Sequence, residues 1–487
     1  MKSRMIAMLL ACLMLTATLT ACATSTESGE TQASKQTNAV TEGEQETELT
    51  DDLPSDLYYN KDEIVIISDK EMDFEQLSGE AVDDALYTRN REVEERLGIK
   101  LNCIEEDNVI DKITASVSSG STDYDIVEEL CWRTAPKFTG GYFRDLRKTD
   151  YLDFEKLYWN QSFNDVVSYN DAQYGITGAM MLSLYRRTYV TVFNKELFTN
   201  ANQTFLYEYV ENNTWTLDKQ AALVPLFHRD NGNNMQDMTE DVYGFVSNDF
   251  IFVDPYWASC EVEIIRKNND GDYEWVFEPS KLHDMAEKVL YLYYATDDGA
   301  YIEHDDYQAE QTVIKIFSEG HAAMATLCIE SLEAGKIRNM ADEYGVVPIP
   351  KYSEQQKSYK SQMHDGFTIA CIPTTVPEDR THELSAVLEA MCSTSYKIVR
   401  PVYYETTLRT QLAKDPQSAA MMDLIINNIF IDPGFVYSHS MGSFHQGFQQ
   451  LVDKGQNDAI SRYERMAKSA KRAFDKLLMD LDKLATQ

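Results

Sequence analysis

The stretch from Asp62 to Leu130 constrains the fold more than any other part of the chain. It opens on "DEIVIISD" (Asp62 to Asp69), where four consecutive β-branched residues predict a buried strand. In the following "AVDDALYTRNREVEERLG", Val82, Leu86, Val93 and Leu97 share one helical face, and Gly98 stands where the helix should stop. "IKLNCIE" supplies a second strand, Asn108 to Ser118 a second helix ending near Gly120, and "YDIVEEL" from Tyr124 a third strand. Strand–helix–strand–helix–strand at this spacing predicts a parallel, doubly wound α/β sheet. Ligands of such sheets bind beyond the carboxyl ends of the strands. Glu128, Glu129, Trp132 and Arg133, which follow "YDIV", therefore fall where a binding site is expected. Trp132 serves equally well as a cap on the core.

At the N-terminus, Lys2 and Arg4 precede an apolar run from Met5 to Leu19, and "LTAC" ends it at Cys22. The run is shorter than the ~20 residues a membrane-spanning helix needs. This is the layout of an export signal, and Leu-Thr-Ala-Cys resembles the bacterial lipobox, whose cysteine is acylated. Residues 1–21 are read as a signal peptide and Cys22 as a lipid attachment point at the outer face of the cytoplasmic membrane. Ala23 to Asp56 carries nine carboxylates and one lysine and lacks the apolar content to fold. Residues 22–57 are thus a lipidated tether, spanning roughly 30 Å on average.

The remaining length suits two or three domains. With a net charge of −36, from 80 acidic against 44 basic residues, the chain lacks the concentrated Lys and Arg that a nucleic-acid surface needs, so no nucleic-acid partner is expected. The eight cysteines form no CxxC pair. Cys103, Cys131, Cys260, Cys328, Cys371 and Cys392 read as small buried hydrophobes, with one disulfide among them left open. There is no HExxH, GxSxG or GxxxxGK[ST], and no cofactor is expected. A glycosidase pair of carboxylates stays open, because its defining feature is separation in space.

"GSTDYDIVEEL" resembles the Gly-x-x-Pro-Asp-Val-Val stretch of the family 1 extracellular solute-binding proteins, the sugar-binding lipoproteins of bacterial ABC importers. In order, "QYGITG", "VTVFNKELF", "NNTWTLDK", "FSEGHAAMA" and "YGVVPIP" resemble further landmarks of that family. Asp123-Tyr124 and Thr177 depart from its usual prolines. The resemblance implies a two-lobed, periplasmic-binding-protein-like type II α/β fold with a hinge. Lobe one would take 58–184 plus 345–395, and lobe two 185–344 plus 396–487. It also implies a monomeric, non-enzymatic receptor that passes a carbohydrate to ABC permease subunits, with peptide or polyamine as other solutes. The residues alone predict a hairpin around Asp270-Gly271. They also predict a closing helix from Asp458 to Leu484, with Ile460, Tyr463, Met466, Ala467, Ala470, Ala473 and Leu477 available for packing.

Sugar recognition calls for flat aromatics against C–H faces and carboxylates or amides for hydroxyls. Candidates from lobe one are Glu128, Glu129, Trp132, Asp365 and Gly366; from lobe two, Tyr256, Trp257, Glu330, Phe444 and His445. Tyr256 and Trp257 read equally as core. Glu330 reads equally as a helix cap. His439 and His445 lack a clustered third ligand, so no metal is expected. Trp215 is read as seating a helix start. On this reading Cys22→Ala moves the protein from the membrane to the soluble fraction and leaves ligand affinity unchanged, as fractionation and titration would show.

Overall fold

The computed structural model describes residues 50–68, 71–72, 76–233, 236–304, 308–333 and 335–486; the signal and Cys22 lie outside the described residues. β1 (Asp62–Ser68), helix Ala81–Leu97, β2 (Ile99–Glu105), helix Val109–Ser119 and β3 (Ile126–Leu130) follow in the predicted order. β2 and β3 both pair with β1 in parallel, as strands joined through helices do. Ile64, Ile66 and Ile67 of β1 are completely buried. Gly98 ends the first helix at φ 63°, and the Tyr58 ring fills the space a Cβ would need. Any other residue there would push the exposed Tyr58 ring aside and pay the roughly 1–2 kcal/mol of a left-handed backbone.

The chain then crosses to a second lobe. This holds β4 (Tyr189–Asn194), β5 (Phe245–Asn248), the hairpin β6 (Ile265–Lys267) and β7 (Tyr273–Trp275), β8 (Ala300–Glu303), β9 (Met324–Cys328) and β10 (Tyr344–Val347). Apart from the hairpin, these strands form a mixed sheet in the order β10-β4-β9-β5-β8. The hairpin turns where predicted, with Gly271 at φ 90°. β11 (Thr368–Cys371) returns to the first lobe and adds antiparallel to β3, giving that sheet the order β11-β3-β1-β2. The return crossing therefore lies between Val347 and Thr368. Lobe one does not reopen at residue 345, because Tyr344–Val347 is buried and antiparallel to β4 of the second sheet.

Helix Glu378–Pro401 makes the third crossing and is buried along most of its length. Beyond Pro401, which has no N–H to continue the ladder, it widens into the helix Val402–Leu412. The closing helix Ala459–Ala485 buries Ala459, Tyr463, Ala470, Phe474, Leu477 and Leu481. Ile460, expected on that face, is 43% exposed, since Ala459 points inward and the next residue lies about 100° further round the helix. Trp215 is buried, donates to the Pro348 carbonyl at 2.8 Å and precedes the helix Leu217–Phe227, as expected. All six cysteines among the described residues are free thiols.

Glu389 sits at the centre of the crossing helix, 1% exposed. It accepts from the Tyr158 hydroxyl, from Trp159 Nε1 at 3.0 Å and from the Asp153 amide at 3.3 Å. Burial nonetheless pushes its carboxyl up from 4.5 to about 7. The folded state then holds a proton the unfolded chain releases, so stability falls as pH rises from 4.5 through about 7. In urea unfolding at pH 5 and pH 8, wild type should lose on the order of 2 kcal/mol more than Glu389→Gln across that interval.

Candidate functional site

β3 ends at Leu130 and turns into the short helix Cys131–Thr134. The returning chain is hydrogen-bonded to this turn: Cys131 N donates to the Phe367 carbonyl at 2.8 Å and Trp132 N to the Asp365 carbonyl at 3.2 Å. Gly366 donates its N–H to His364 Nδ1 at 2.8 Å, and a Cβ on Gly366 would come within 2.8 Å of that nitrogen. The turn "HDGF" thus needs glycine at its tip. Across the seam, the second lobe presents the short helix Pro255–Ser259 and the segment from Phe430 to Val436. Asp432 fixes that segment, accepting from the amides of Ile264, Ile265 and Gly434 at 2.7, 3.3 and 2.6 Å. Burial still pushes the Asp432 carboxyl up to about 7.

Cys131, Trp132, Trp257, Asp365, Phe367 and Phe435 are among the residues that line a cavity of about 30 Å³ on this seam. A space of that size holds about a water or two. The lobes are shut around it. Trp132 lies 5.2 Å from the His439 ring, and Tyr169 stacks on Tyr273 at 5.1 Å. Lys267 Nζ reaches across to the carbonyls of Asp165 and Ser168 at 2.7 and 2.8 Å. Beside the cavity, Asp365 Oδ2 lies 3.4 Å from His439 Nε2 and 3.9 Å from His445 Nε2, while Oδ1 lies 3.4 Å from His364 Nδ1. Burial would raise the Asp365 carboxyl, but the hydrogen bond from His439 and the surrounding imidazoles hold it below its ordinary value. Burial lowers His445 to about 4, so its imidazole is neutral at pH 7.

Of the predicted site residues, Trp132, Trp257 and Asp365 line the cavity, and Gly366 and His445 adjoin it. The other five have structural partners instead. Glu128 accepts from the Ser68 hydroxyl and the amides of Glu71 and Met72, tying these to the end of β1. Glu129 accepts from the Ile110 amide at 3.1 Å, at the start of helix Val109–Ser119. Tyr256 is buried against Tyr293. Glu330 pairs with Arg187 at 2.6 Å beside the first crossing; burial pushes its carboxyl up to about 7 although Arg187 opposes the shift. Phe444 is packed among Trp275, Phe277 and Tyr463. Sequence reading missed Phe430, Ile431, Asp432, Phe435, Val436, Gln362, Met363 and Phe367, which line the cavity, and His439, which it weighed only as half of a metal pair. The turn signal Asp432-Pro433-Gly434 was legible; its seat against Ile264, 168 residues away, was not.

No family model matches the chain, and no curated protein matches it significantly. Solved structures do. The GacH receptor of Streptomyces glaucescens, determined unliganded and with acarbose, is 14% identical and superposes at a TM-score of 0.55, covering 86% of this chain and 99% of that one. The ABC substrate-binding protein Lmo0181 from Listeria monocytogenes, in complex with cycloalternan, is 15% identical at 0.54 over 86% and 99%. UgpB from Mycobacterium tuberculosis, in complex with glycerophosphocholine, is 14% identical at 0.56 over 86% and 100%. These likenesses establish the two-lobed periplasmic-binding-protein type II fold.

The division between structural and seam-lining residues is measurable. Glu128→Ala strips acceptors from buried donors and should cost on the order of 2–3 kcal/mol in urea unfolding. Trp132→Ala should cost less, about 1–2 kcal/mol, because part of the indole stays exposed.

Proposed function

We propose that this chain is a lipid-anchored extracellular solute-binding protein that captures a carbohydrate by hinge closure and delivers it to an ABC importer. The observation that carries the proposal is the placement of Trp132 from one lobe and Trp257 from the other on the same cavity, with the Asp365 carboxylate between the lobes. Two indoles give flat apolar faces for a pyranose, and a carboxylate accepts from its hydroxyls. The solved relatives of this fold include proteins bound to acarbose, cycloalternan and α-D-tagatose, which fits that chemistry.

The mechanism follows from the shut seam. A space of about 30 Å³ takes no sugar, so the lobes must part before a ligand enters. The ligand then replaces the direct contacts between Trp132 and His439 with contacts of its own, and the lobes close on it. It drives closure only to the extent that it binds the closed form more tightly than the open one. No catalytic step is assigned to the chain. Cys22 would hold the receptor near its permease and raise its effective concentration there. Among the described residues, no helix is long and apolar enough to cross a membrane.

A phosphodiester or cationic solute is the second reading. UgpB carries glycerophosphocholine on the same fold, and paired indoles also face cations well. Intrinsic fluorescence titrated with a panel of oligosaccharides decides between the two. One oligosaccharide should bind saturably, and Trp132→Ala and Trp257→Ala should each weaken it at least about tenfold, or ~1.4 kcal/mol. Binding of glycerophosphocholine or a polyamine with no glycan bound would refute the carbohydrate reading and leave the receptor reading standing.

A further inference from the structure

The two histidines that stood without a third ligand in the sequence acquire one in the fold. Asp365 precedes His439 by 74 residues and belongs to the other lobe, yet its Oδ2 lies 3.4 Å from His439 Nε2 and 3.9 Å from His445 Nε2. One ligand atom from each of the three residues lies within 4.8 Å of the other two. A tetrahedral zinc site with bonds of about 2.0–2.1 Å places its donor atoms roughly 3.3 Å apart. Drawing these three onto an ion therefore asks for movements of an ångström or so, on the scale of a side-chain adjustment.

The remaining nitrogens make the cluster more than a coincidence of position. His445 Nδ1 is 2.6 Å from the Ser438 hydroxyl, and His439 Nδ1 is 3.0 Å from the Ser443 hydroxyl. Each ring is thus held by a serine through Nδ1 and turns Nε2 towards the same carboxylate oxygen. A metal-ligating histidine is held in the same way, by an outer partner on the nitrogen that does not bind the ion. His445 is 1% exposed, and the Phe435 ring packs against it at 4.6 Å. The backbone of Asp365 is fixed separately by the Trp132 amide.

We propose that Asp365 Oδ2, His439 Nε2 and His445 Nε2 bind one divalent transition-metal ion of the zinc class across the seam between the lobes. Two neutral imidazoles and one carboxylate suit zinc, nickel or cobalt better than calcium or magnesium, which prefer all-oxygen shells. Three protein ligands leave a fourth position, and Asp365 lines the cavity where a solute hydroxyl or carboxylate would sit. Because lobe one supplies the carboxylate and lobe two both imidazoles, the ion favours the closed form over the open one. This deepens the receptor reading proposed above and depends on its hinge closure, though not on the solute being a sugar.

The test uses the full chain, freed of metal by chelation, with zinc chloride alone as the probe. Calorimetry should find one tight zinc ion per chain. Asp365→Asn, His439→Ala and His445→Ala should each weaken binding at least about 100-fold, and Ser438→Ala about 10–100-fold. Zinc should raise the melting temperature of the wild type and leave that of His439→Ala unchanged. Melting curves of the metal-free variants check that each is folded, and His439→Ala, on the partly exposed ring, serves if a buried variant is not. Absence of saturable binding up to about 1 mM zinc, or binding that survives all three ligand substitutions, overturns the proposal. A glycan panel without a binder would defeat the carbohydrate reading and leave this measurement as it stands.

Discussion

Everything at the seam depends on one strand pairing, the addition of Thr368–Cys371 antiparallel to Ile126–Leu130. These segments are separated by all five strands of the second lobe's sheet, so their ladder is what makes lobe one a single sheet from discontinuous chain. It also sets what lies just before the strand. The "HDGF" turn is laid against the "CWRT" turn by two backbone hydrogen bonds, which puts Asp365 beside Trp132 with little freedom left in either main chain. The second lobe then has only to bring up its own short helix and its C-terminal segment.

The crossings between the lobes are tied by polar groups that the seam does not use. Glu71 accepts from the Ser183 amide at 2.6 Å and its hydroxyl at 2.8 Å, and also from the Thr368 hydroxyl, knotting the first crossing to the returning strand. On the far side, Arg186 and Arg187 pair with Glu333 and Glu330 at 3.1 and 2.6 Å. Such partly buried, bidentate-capable arginine pairs define a geometry more than they add net stability. The hinge is therefore specified by charge and hydroxyl contacts, and the seam by aromatic ones.

The first lobe was legible in the sequence because its strands and helices alternate locally, with hydrophobic periods that switch from two to 3.6 residues. The limits of legibility lay in contacts between distant segments. Glu128 and Glu129 sat at the right end of the right strand, but period-two alternation cannot reveal that the Met72 and Ile110 amides wait for their carboxylates. Phe444 and His445 are neighbours in sequence with opposite fates: one ring enters the Trp275–Phe277–Tyr463 cluster, and the other turns to Asp365. The missing metal-ligand partner, too, was a carboxylate already singled out for another reason. Residue type singled out ten positions, and only tertiary pairing separates the five that lie at the cavity from the five held by structural partners.

The contact of Lys267 with the opposite lobe has a consequence of a different kind. Its ammonium is held mainly by the peptide carbonyls of Asp165 and Ser168, with the Ser168 hydroxyl at 3.0 Å. Main-chain acceptors are present whatever side chain occupies those positions, so drift at Asp165 cannot erase the contact, whereas a shift of the helix that carries it can. On its accepting side, a clasp of this construction records backbone placement, and only Lys267 must keep its identity. It would persist in distant descendants of this chain whose sequences no longer show why their lobes meet.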